Sequence, residues 1–151
     1  MKNFKDVNEI LDVAIAAEEE AYDFYTKLAS QSKSEAMRIV FEQFAGEEKG
    51  HKAKLLNIKQ TGAYTLSNEK VTDLKIADYT VDIEPRPNMS YQEALIVAMK
   101  KEKAAFRLYM DLSEIAPNAD MKILFLTLAQ EESRHKLRFE IEYDEFVLRE
   151  N

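Results

Sequence analysis

The chain contains 151 residues, of which 46% are hydrophobic and 32% are charged, and its formal net charge is −7. A chain of this length can form a domain with a substantial core, and its acidic balance excludes the electrostatic footprint expected for nucleic acid or an anionic membrane. The lack of cysteine excludes disulfides, thiolate metal sites and iron–sulfur clusters. We therefore expect a single domain over residues 1–151, with neither nucleic acid nor a membrane as a partner.

The composition also predicts the class of fold and the location of the protein. Only three glycines and three prolines are available for turns, which favours a few long helices over many short strands. The residues after Met1 contain no apolar run of signal-peptide length, and no stretch approaches 18 uninterrupted apolar residues. We therefore expect a cytoplasmic protein.

Two long helices are predicted over about residues 7–60. Asp6 and Glu9 have the spacing of a helix start. The apolar stripe of the first helix advances by alternate steps of three and four residues, through Val7, Leu11, Ala14, Glu18, Ala21, Tyr25 and Leu28. After a short break at 32–34, the second helix continues this pattern through Met37, Phe41, Phe44, Glu48, His51, Leu55 and Ile58. A break this short predicts an antiparallel pair.

The connection over about residues 61–89 is long for a compact domain. Its apolar residues alternate in part with polar ones, so we expect a largely extended segment with a short strand or turn. An extended segment of this length can run from one end of a long helix to the other.

Two further helices are predicted over about residues 90–149, the first starting at Ser90 and the second after Pro117 and Asn118. The stripe of the third helix comprises Tyr91, Leu95, Ala98, Glu102, Ala105, Tyr109 and Leu112. The stripe of the fourth comprises Met121, Phe125, Leu128, Glu132, His135, Phe139 and Glu142. Four helices with one apolar stripe each can bury those stripes only against one another, which predicts an all-α four-helix bundle.

The two helix pairs are copies of each other. A shift of 84 residues superposes positions 10–56 on positions 94–140 with fifteen identities and no gap. Each copy carries one Glu-x-x-Ala-x-x-x-Tyr, at Glu18 and at Glu102, and later one Glu-x-x-His. The chain is therefore interpreted as an internal duplication.

The two Glu-x-x-His motifs, Glu48 to His51 and Glu132 to His135, use the only two histidines of the chain. A Glu and a His three residues apart lie one turn apart on one helix face, so both can reach the same ion. Six polar residues thus interrupt the stripes near the helix midpoints, namely Glu18, Glu48, His51, Glu102, Glu132 and His135. Four buried carboxylates require positive charge beside them, and two divalent cations balance them. Oxygen and imidazole ligands suit iron, manganese or zinc.

The ferritin-like di-iron carboxylate proteins have this same pattern, with one Glu from each of two helices and a Glu-x-x-His from each of the other two. The chain resembles that superfamily, and its Glu-x-x-Ala-x-x-x-Tyr and Glu-Glu-x-x-His segments are most similar to the rubrerythrin branch. The resemblance implies a ferritin-like bundle with two iron ions. It implies that Glu48 and Glu132 bridge them, that Glu18 and Glu102 are terminal carboxylates, and that His51 and His135 bind one ion each.

The resemblance also implies a function, with two departures from the family pattern. A rubrerythrin-like di-iron protein would reduce hydrogen peroxide or dioxygen in oxidative-stress defence, most simply as a homodimer. Full-length rubrerythrins add a cysteine-ligated iron centre, which this chain cannot build, so we expect electrons from an external donor protein. Rubrerythrins also tend to carry a further ligand Glu where this chain has Ala105, and the remaining set resembles the iron-oxidising centre of bacterioferritins. Ferroxidase or iron-handling activity is therefore the alternative.

Other interpretations of these residues remain open. A small rotation of the first or third helix would expose Glu18 or Glu102, and a purely structural bundle would hold zinc or no metal. Glu47 and Glu131 are interpreted as solvated neighbours of the motifs rather than as ligands. Tyr25 and Tyr109 either pack in the core or donate hydrogen bonds to the ligand carboxylates.

Overall fold

The structure is a computed structural model that describes residues 7–61, 90–116 and 118–150. In these ranges the chain forms four helices and no strand: α1 (Val7–Gln31), α2 (Glu35–Thr61), α3 (Tyr91–Glu114) and α4 (Ala119–Glu150). The predicted all-α four-helix bundle is thereby confirmed. The predicted connection over 61–89, with its short strand or turn, lies outside the described residues from residue 62 onward. None of the described helices is long and apolar enough to cross a bilayer.

Short polar segments end and restart the helices where the sequence predicts. Between α1 and α2, the backbone N–H of Met37 donates to the Ser34 hydroxyl oxygen at 3.3 Å. Before α4, the backbone N–H of Met121 donates to the Asn118 side-chain oxygen at 2.9 Å. These side chains satisfy donors that the first turn of a helix leaves unpaired. α1 consequently folds back on α2, and α3 on α4, as two extensively packed pairs.

Ser90 begins α3 with a reciprocal cap. The backbone N–H of Glu93 donates to the Ser90 hydroxyl oxygen at 3.1 Å, and the Glu93 carboxylate accepts from the Ser90 backbone N–H at 3.5 Å. This pairing satisfies two backbone donors at once.

We expect Ser90→Ala to lower the free energy of unfolding by about 1 kcal/mol, because alanine cannot accept the Glu93 N–H bond. Chemical denaturation of both proteins would measure the difference. Thr127→Ala provides a control, since its exposed hydroxyl bonds only within its own helix. An equal loss in the two variants would contradict the role of the cap.

The apolar core is divided into two clusters with a polar layer between them. One cluster holds Leu11, Leu55, Tyr109 and Phe125, and the other holds residues such as Phe41 and Phe139. Phe139 is fully buried, and its ring lies 5.1 to 5.7 Å from the ring centroids of Tyr25, Phe41 and Phe44. The two apolar clusters hold the four helices in the register that brings the polar residues to one level.

Candidate metal centre

All six polar residues that interrupt the predicted stripes are buried in the bundle. The exposed fraction is 2% or less for each of them: Glu18, Glu48, His51, Glu102, Glu132 and His135. α1 and α3 each supply one carboxylate, and α2 and α4 each supply a glutamate and a histidine one turn apart. The stripe phase predicted from the sequence is therefore the observed one, and neither Glu18 nor Glu102 is turned outward.

These side chains form two groups that could each hold a metal ion. In the first group, donor atoms of Glu18, Glu48, His51 and Glu132 all lie within 4.8 Å of one another. The second group is built in the same way, from Glu48, Glu102, Glu132 and His135. Glu48 and Glu132 belong to both groups, so the two groups are adjacent. Two carboxylates shared between two such groups are suited to bridging a pair of cations.

The hydrogen-bonding pattern tests whether the residues fit such cations. In the described part of the chain, each of the six residues has one fully buried side-chain oxygen or nitrogen without a hydrogen-bond partner. His51 Nδ1 lies 2.8 Å from a Glu132 oxygen and His135 Nδ1 lies 3.1 Å from a Glu48 oxygen, but neither contact is aligned as a hydrogen bond. Unpaired polar atoms in a protein interior are costly, and six that converge are explained by a ligand that accepts their lone pairs. The residues therefore fit a metal pair.

In the metal-free protein, the pKa values of the two shared carboxylates are strongly shifted. Burial raises the pKa of Glu132 well above its usual 4.5, and the charges of Glu102, Glu18 and Glu48 raise it further. Burial also raises the pKa of Glu48, again with Glu102 and Glu18 acting in the same direction. Without metal, these two groups bind protons more readily than an ordinary glutamate does. Cations at this position would reverse that preference, because an adjacent positive charge favours the carboxylate form.

Each histidine is held from outside by a glutamate of the other Glu-x-x-His helix. His51 Nε2 pairs with Glu131, and His135 Nε2 pairs with Glu47 at 2.5 Å. As predicted, Glu47 and Glu131 belong to neither donor group, but they are more than solvated neighbours, because each binds a histidine and their side chains are only 26% and 31% exposed. A carboxylate that accepts the Nε2–H of a histidine leaves the Nδ1 lone pair free to bind a metal.

The same contacts control the charge of the histidines in the metal-free protein. Burial lowers the pKa of His135, but Glu102 and Glu48 outweigh it and raise the value to about 10. Burial also lowers the pKa of His51, and Glu18 and Glu131 reverse that effect, so the pKa lies above its usual 6.5. In the absence of metal, the neighbouring carboxylates thus favour the protonated form of both histidines.

The two tyrosines of the repeated motif donate hydrogen bonds across the bundle. The Tyr109 hydroxyl on α3 donates to Glu18 on α1 at 2.5 Å, and the Tyr25 hydroxyl on α1 donates to Glu102 on α3. Burial raises the pKa of both tyrosines well above 10, and the neighbouring glutamates add to the shift. Both phenols therefore stay neutral and remain donors, which fixes the orientation of the two carboxylates. The two tyrosines thus do what both alternatives describe, since they also pack in the apolar clusters.

A cavity of about 330 Å³ opens between α1 and α3 and reaches the buried carboxylates. Alanines line much of it, and the floor includes Glu18 and Glu102. One side of its mouth is crossed by an ion pair in which the Lys101 ammonium donates to Glu20 at 3.0 Å. The duplicated counterparts of these two residues are Ala17 and Ala104, which leave the other side without such a pair.

Comparisons with known proteins agree with this geometry. The family model described as rubrerythrin matches residues 9–143. A hypothetical protein from Pyrococcus furiosus is 28% identical with a TM-score of 0.72, over 89% of this chain and 86% of that one. A conserved hypothetical protein from Mycobacterium tuberculosis shares the fold, with a TM-score of 0.69 at 15% identity over 91% of this chain and 89% of that one. A search of curated proteins gives no match. With its family match extending over both Glu-x-x-His motifs, the chain belongs to the rubrerythrin family.

Proposed function

We propose that the protein is a di-iron oxidoreductase that reduces hydrogen peroxide or dioxygen with electrons from an external donor protein. The observation that supports it best is the pair of donor groups that share Glu48 and Glu132. Oxygen and imidazole ligands without thiolate are typical of non-haem iron sites that handle oxygen species. The family match supports a metal centre of this kind, and manganese or zinc is compatible with the same residues.

In this proposal Glu48 and Glu132 would be shared by the two ions, Glu18 and His51 would hold one of them, and Glu102 and His135 would hold the other. When bound, the pair of iron ions supplies two electrons to an oxygen species. The protein residues hold the carboxylates and imidazoles in place. Tyr109 and Tyr25 orient Glu18 and Glu102, while Glu131 and Glu47 select the histidine tautomer whose Nδ1 faces the centre.

An external electron donor is part of the proposal because a chain without cysteine cannot form a second, thiolate-bound iron centre. A homodimer, a role in oxidative-stress defence and a cytoplasmic location also remain predictions. They come from the sequence and the family resemblance.

Peroxide consumption by the iron-loaded protein, with a chemical reductant in place of the donor, tests the proposal. We expect turnover that requires both iron and reductant and that is lost in Glu132→Ala. Glu145→Ala is the control, because Glu145 is an exposed residue of the same helix. Iron-loaded protein that consumes neither peroxide nor dioxygen would overturn the proposed activity.

The cavity between α1 and α3 provides the approach for a small oxidant, and closing its mouth is expected to slow the reaction. The variant Ala17→Lys with Ala104→Glu would copy the Lys101–Glu20 pair onto the open side. A barrier raised by about 1 kcal/mol would slow peroxide-driven oxidation roughly fivefold at unchanged iron content.

Stopped-flow mixing of the reduced, iron-loaded variant with peroxide would measure this rate. Ser30→Lys with Thr127→Glu introduces the same charges at exposed positions away from the cavity and serves as the control. Equal rates in the two double variants would show that peroxide reaches the centre by another route.

Iron oxidation for storage or handling is the second candidate function. The observation that favours it is the symmetric set of four glutamates and two histidines, with Ala105 rather than a further carboxylate beside the cavity. This function predicts rapid oxidation of added ferrous iron by dioxygen and a large hollow assembly. Size-exclusion chromatography and a ferrous oxidation assay would distinguish it from the peroxidase.

A further inference from the structure

The two halves of the centre are built alike, which makes their differences informative. A shift of 84 residues relates His51 to His135 and Glu47 to Glu131. Each histidine has its Nε2 bound by a carboxylate from the other half, so the two inner arrangements match. Unequal behaviour of the two metal positions must therefore come from residues that the duplication no longer shares.

One such difference lies directly outside the histidines. Arg134 Nη2 donates to Glu47 Oε1 at 2.9 Å, and the other oxygen of Glu47 contacts His135. The duplicated counterpart of Arg134 is Gly50, which has no side chain to reach Glu131. In the ranges that the structure describes, Glu131 has no arginine or lysine bound to it. The carboxylate behind His135 is thus paired with an arginine, while the one behind His51 has no such partner among the described residues.

This difference changes how strongly each position attracts a cation. A negative carboxylate that accepts the Nε2–H of a histidine makes the opposite nitrogen a better donor to a metal. The Arg134 guanidinium that binds Glu47 reduces this gain in donor strength for His135. It also places a positive charge near the metal position that contains His135. Arg134 is 53% exposed, so solvent screens its charge and the effect is moderate.

We propose that the two positions are unequal, and that a divalent cation binds first and more tightly at the position formed by Glu18, His51 and the shared glutamates. This inference rests on the proposed metal pair and adds an order of binding to it. Arg134 acts as a positioning residue through Glu47 and touches no metal. The affinities of the two positions are expected to differ roughly threefold to tenfold.

The duplication supplies matched variants for a test. Arg134→Ala removes the cation behind His135, and Arg107→Ala removes another exposed arginine as the control. Gly50→Arg adds a cation behind His51, and a side chain at residue 50 would meet no atom within 4 Å of its Cβ. Gly46→Arg, at a second exposed glycine of α2 that is equally open, controls for the gain in helix propensity.

The experiment measures the occupancy of each position in crystals of metal-free protein given one equivalent of Co²⁺, from anomalous scattering at the cobalt edge. Because the two positions compete for one equivalent of metal, the ratio of their occupancies is about the square root of the ratio of their affinities. In the unchanged protein we therefore expect the peak beside His51 to be roughly two to three times more occupied than the peak beside His135. Arg134→Ala should bring the ratio towards one, and Gly50→Arg with Arg134→Ala should invert it. The two control variants should retain the original ratio.

Equal occupancy in the unchanged protein, or a ratio that Arg134→Ala leaves unaltered, would overturn the inference while leaving the metal pair intact. Absence of cobalt from both positions would instead contradict the proposed metal centre itself. Circular dichroism of each variant before crystallisation would confirm that the helices are retained.

Discussion

Replacing Glu48 by alanine is expected to abolish the binding of both metal ions at the proposed centre. Glu48 belongs to both donor groups, so its loss leaves each group with three donors and leaves Glu132 as the one carboxylate that the two groups share. Glu18→Ala removes a donor from only one group and should leave one ion bound. Mutation of a residue that only hydrogen-bonds a metal ligand typically lowers the metal affinity 10- to 100-fold. Removal of a ligand that both ions share should therefore lower the affinity by more than about 100-fold.

Elemental analysis after loading with ferrous iron and removal of excess metal would measure the number of ions bound to each variant. Glu42→Ala is the control, because Glu42 is an exposed residue of the same helix that pairs with Arg38. The metal-free Glu48→Ala protein should be at least as stable as the unchanged one, since one of four crowded carboxylates is gone. A metal content unchanged by Glu48→Ala would count strongly against the site.

The stability of the metal-free protein is expected to depend strongly on pH. The folded-state pKa values of Glu48 and Glu132 lie above their usual 4.5, mainly because of burial. Those of His51 and His135 lie above 6.5, because the neighbouring carboxylates outweigh burial. All four groups bind protons more readily in the folded than in the unfolded chain, so each stabilises the fold less as pH rises. The stability of the metal-free protein should therefore fall as pH rises from about 4.5, the ordinary pKa of a glutamate, to about 10, the raised pKa of His135.

Bound metal is expected to reverse this trend, because its ligands must be deprotonated and its affinity rises with pH. At a free metal concentration 1,000 times Kd, stabilisation is about 4 kcal/mol, which corresponds to roughly 8 to 16 °C in Tm. Thermal melts of metal-free and Co²⁺-loaded protein at several pH values would measure both trends.

Glu48→Gln with Glu132→Gln removes two of the titrating groups with little change in shape, and should flatten the pH dependence of the metal-free protein. A metal-free Tm that rises with pH over this range would contradict the assignment of buried, proton-binding groups.

Much of the fold could be predicted because local pattern and long-range packing agree in this chain. Apolar residues spaced alternately three and four apart specify one buried face of a helix. The two similar halves of the chain place corresponding residues on that face. The helix pairs predicted over 7–60 and 90–149 correspond to observed helices that span residues 7–61 and 91–150. The burial of Glu142 also follows from its place on the stripe, and it accepts a hydrogen bond from Tyr91 at 3.0 Å.

The surroundings of the centre could not be predicted in the same way. The pairing of Glu131 with His51 joins side chains 80 residues apart, and it depends on the distance between α2 and α4. A signal was nevertheless present, because each histidine has a second ring nitrogen that needs a partner and each motif carries a second glutamate. The cavity between α1 and α3 depends on the separation of two helix axes, which alanines permit but do not specify.

The position of bound iron in a crystal would show whether the four helices hold a metal pair. A crystal of iron-loaded protein, with anomalous differences measured at the iron edge, should contain two peaks about 3.5 to 4 Å apart, as in other two-metal sites. Both peaks should lie between Glu48 and Glu132, one beside His51 and the other beside His135. A single peak, or peaks only at surface carboxylates, would contradict the proposed centre.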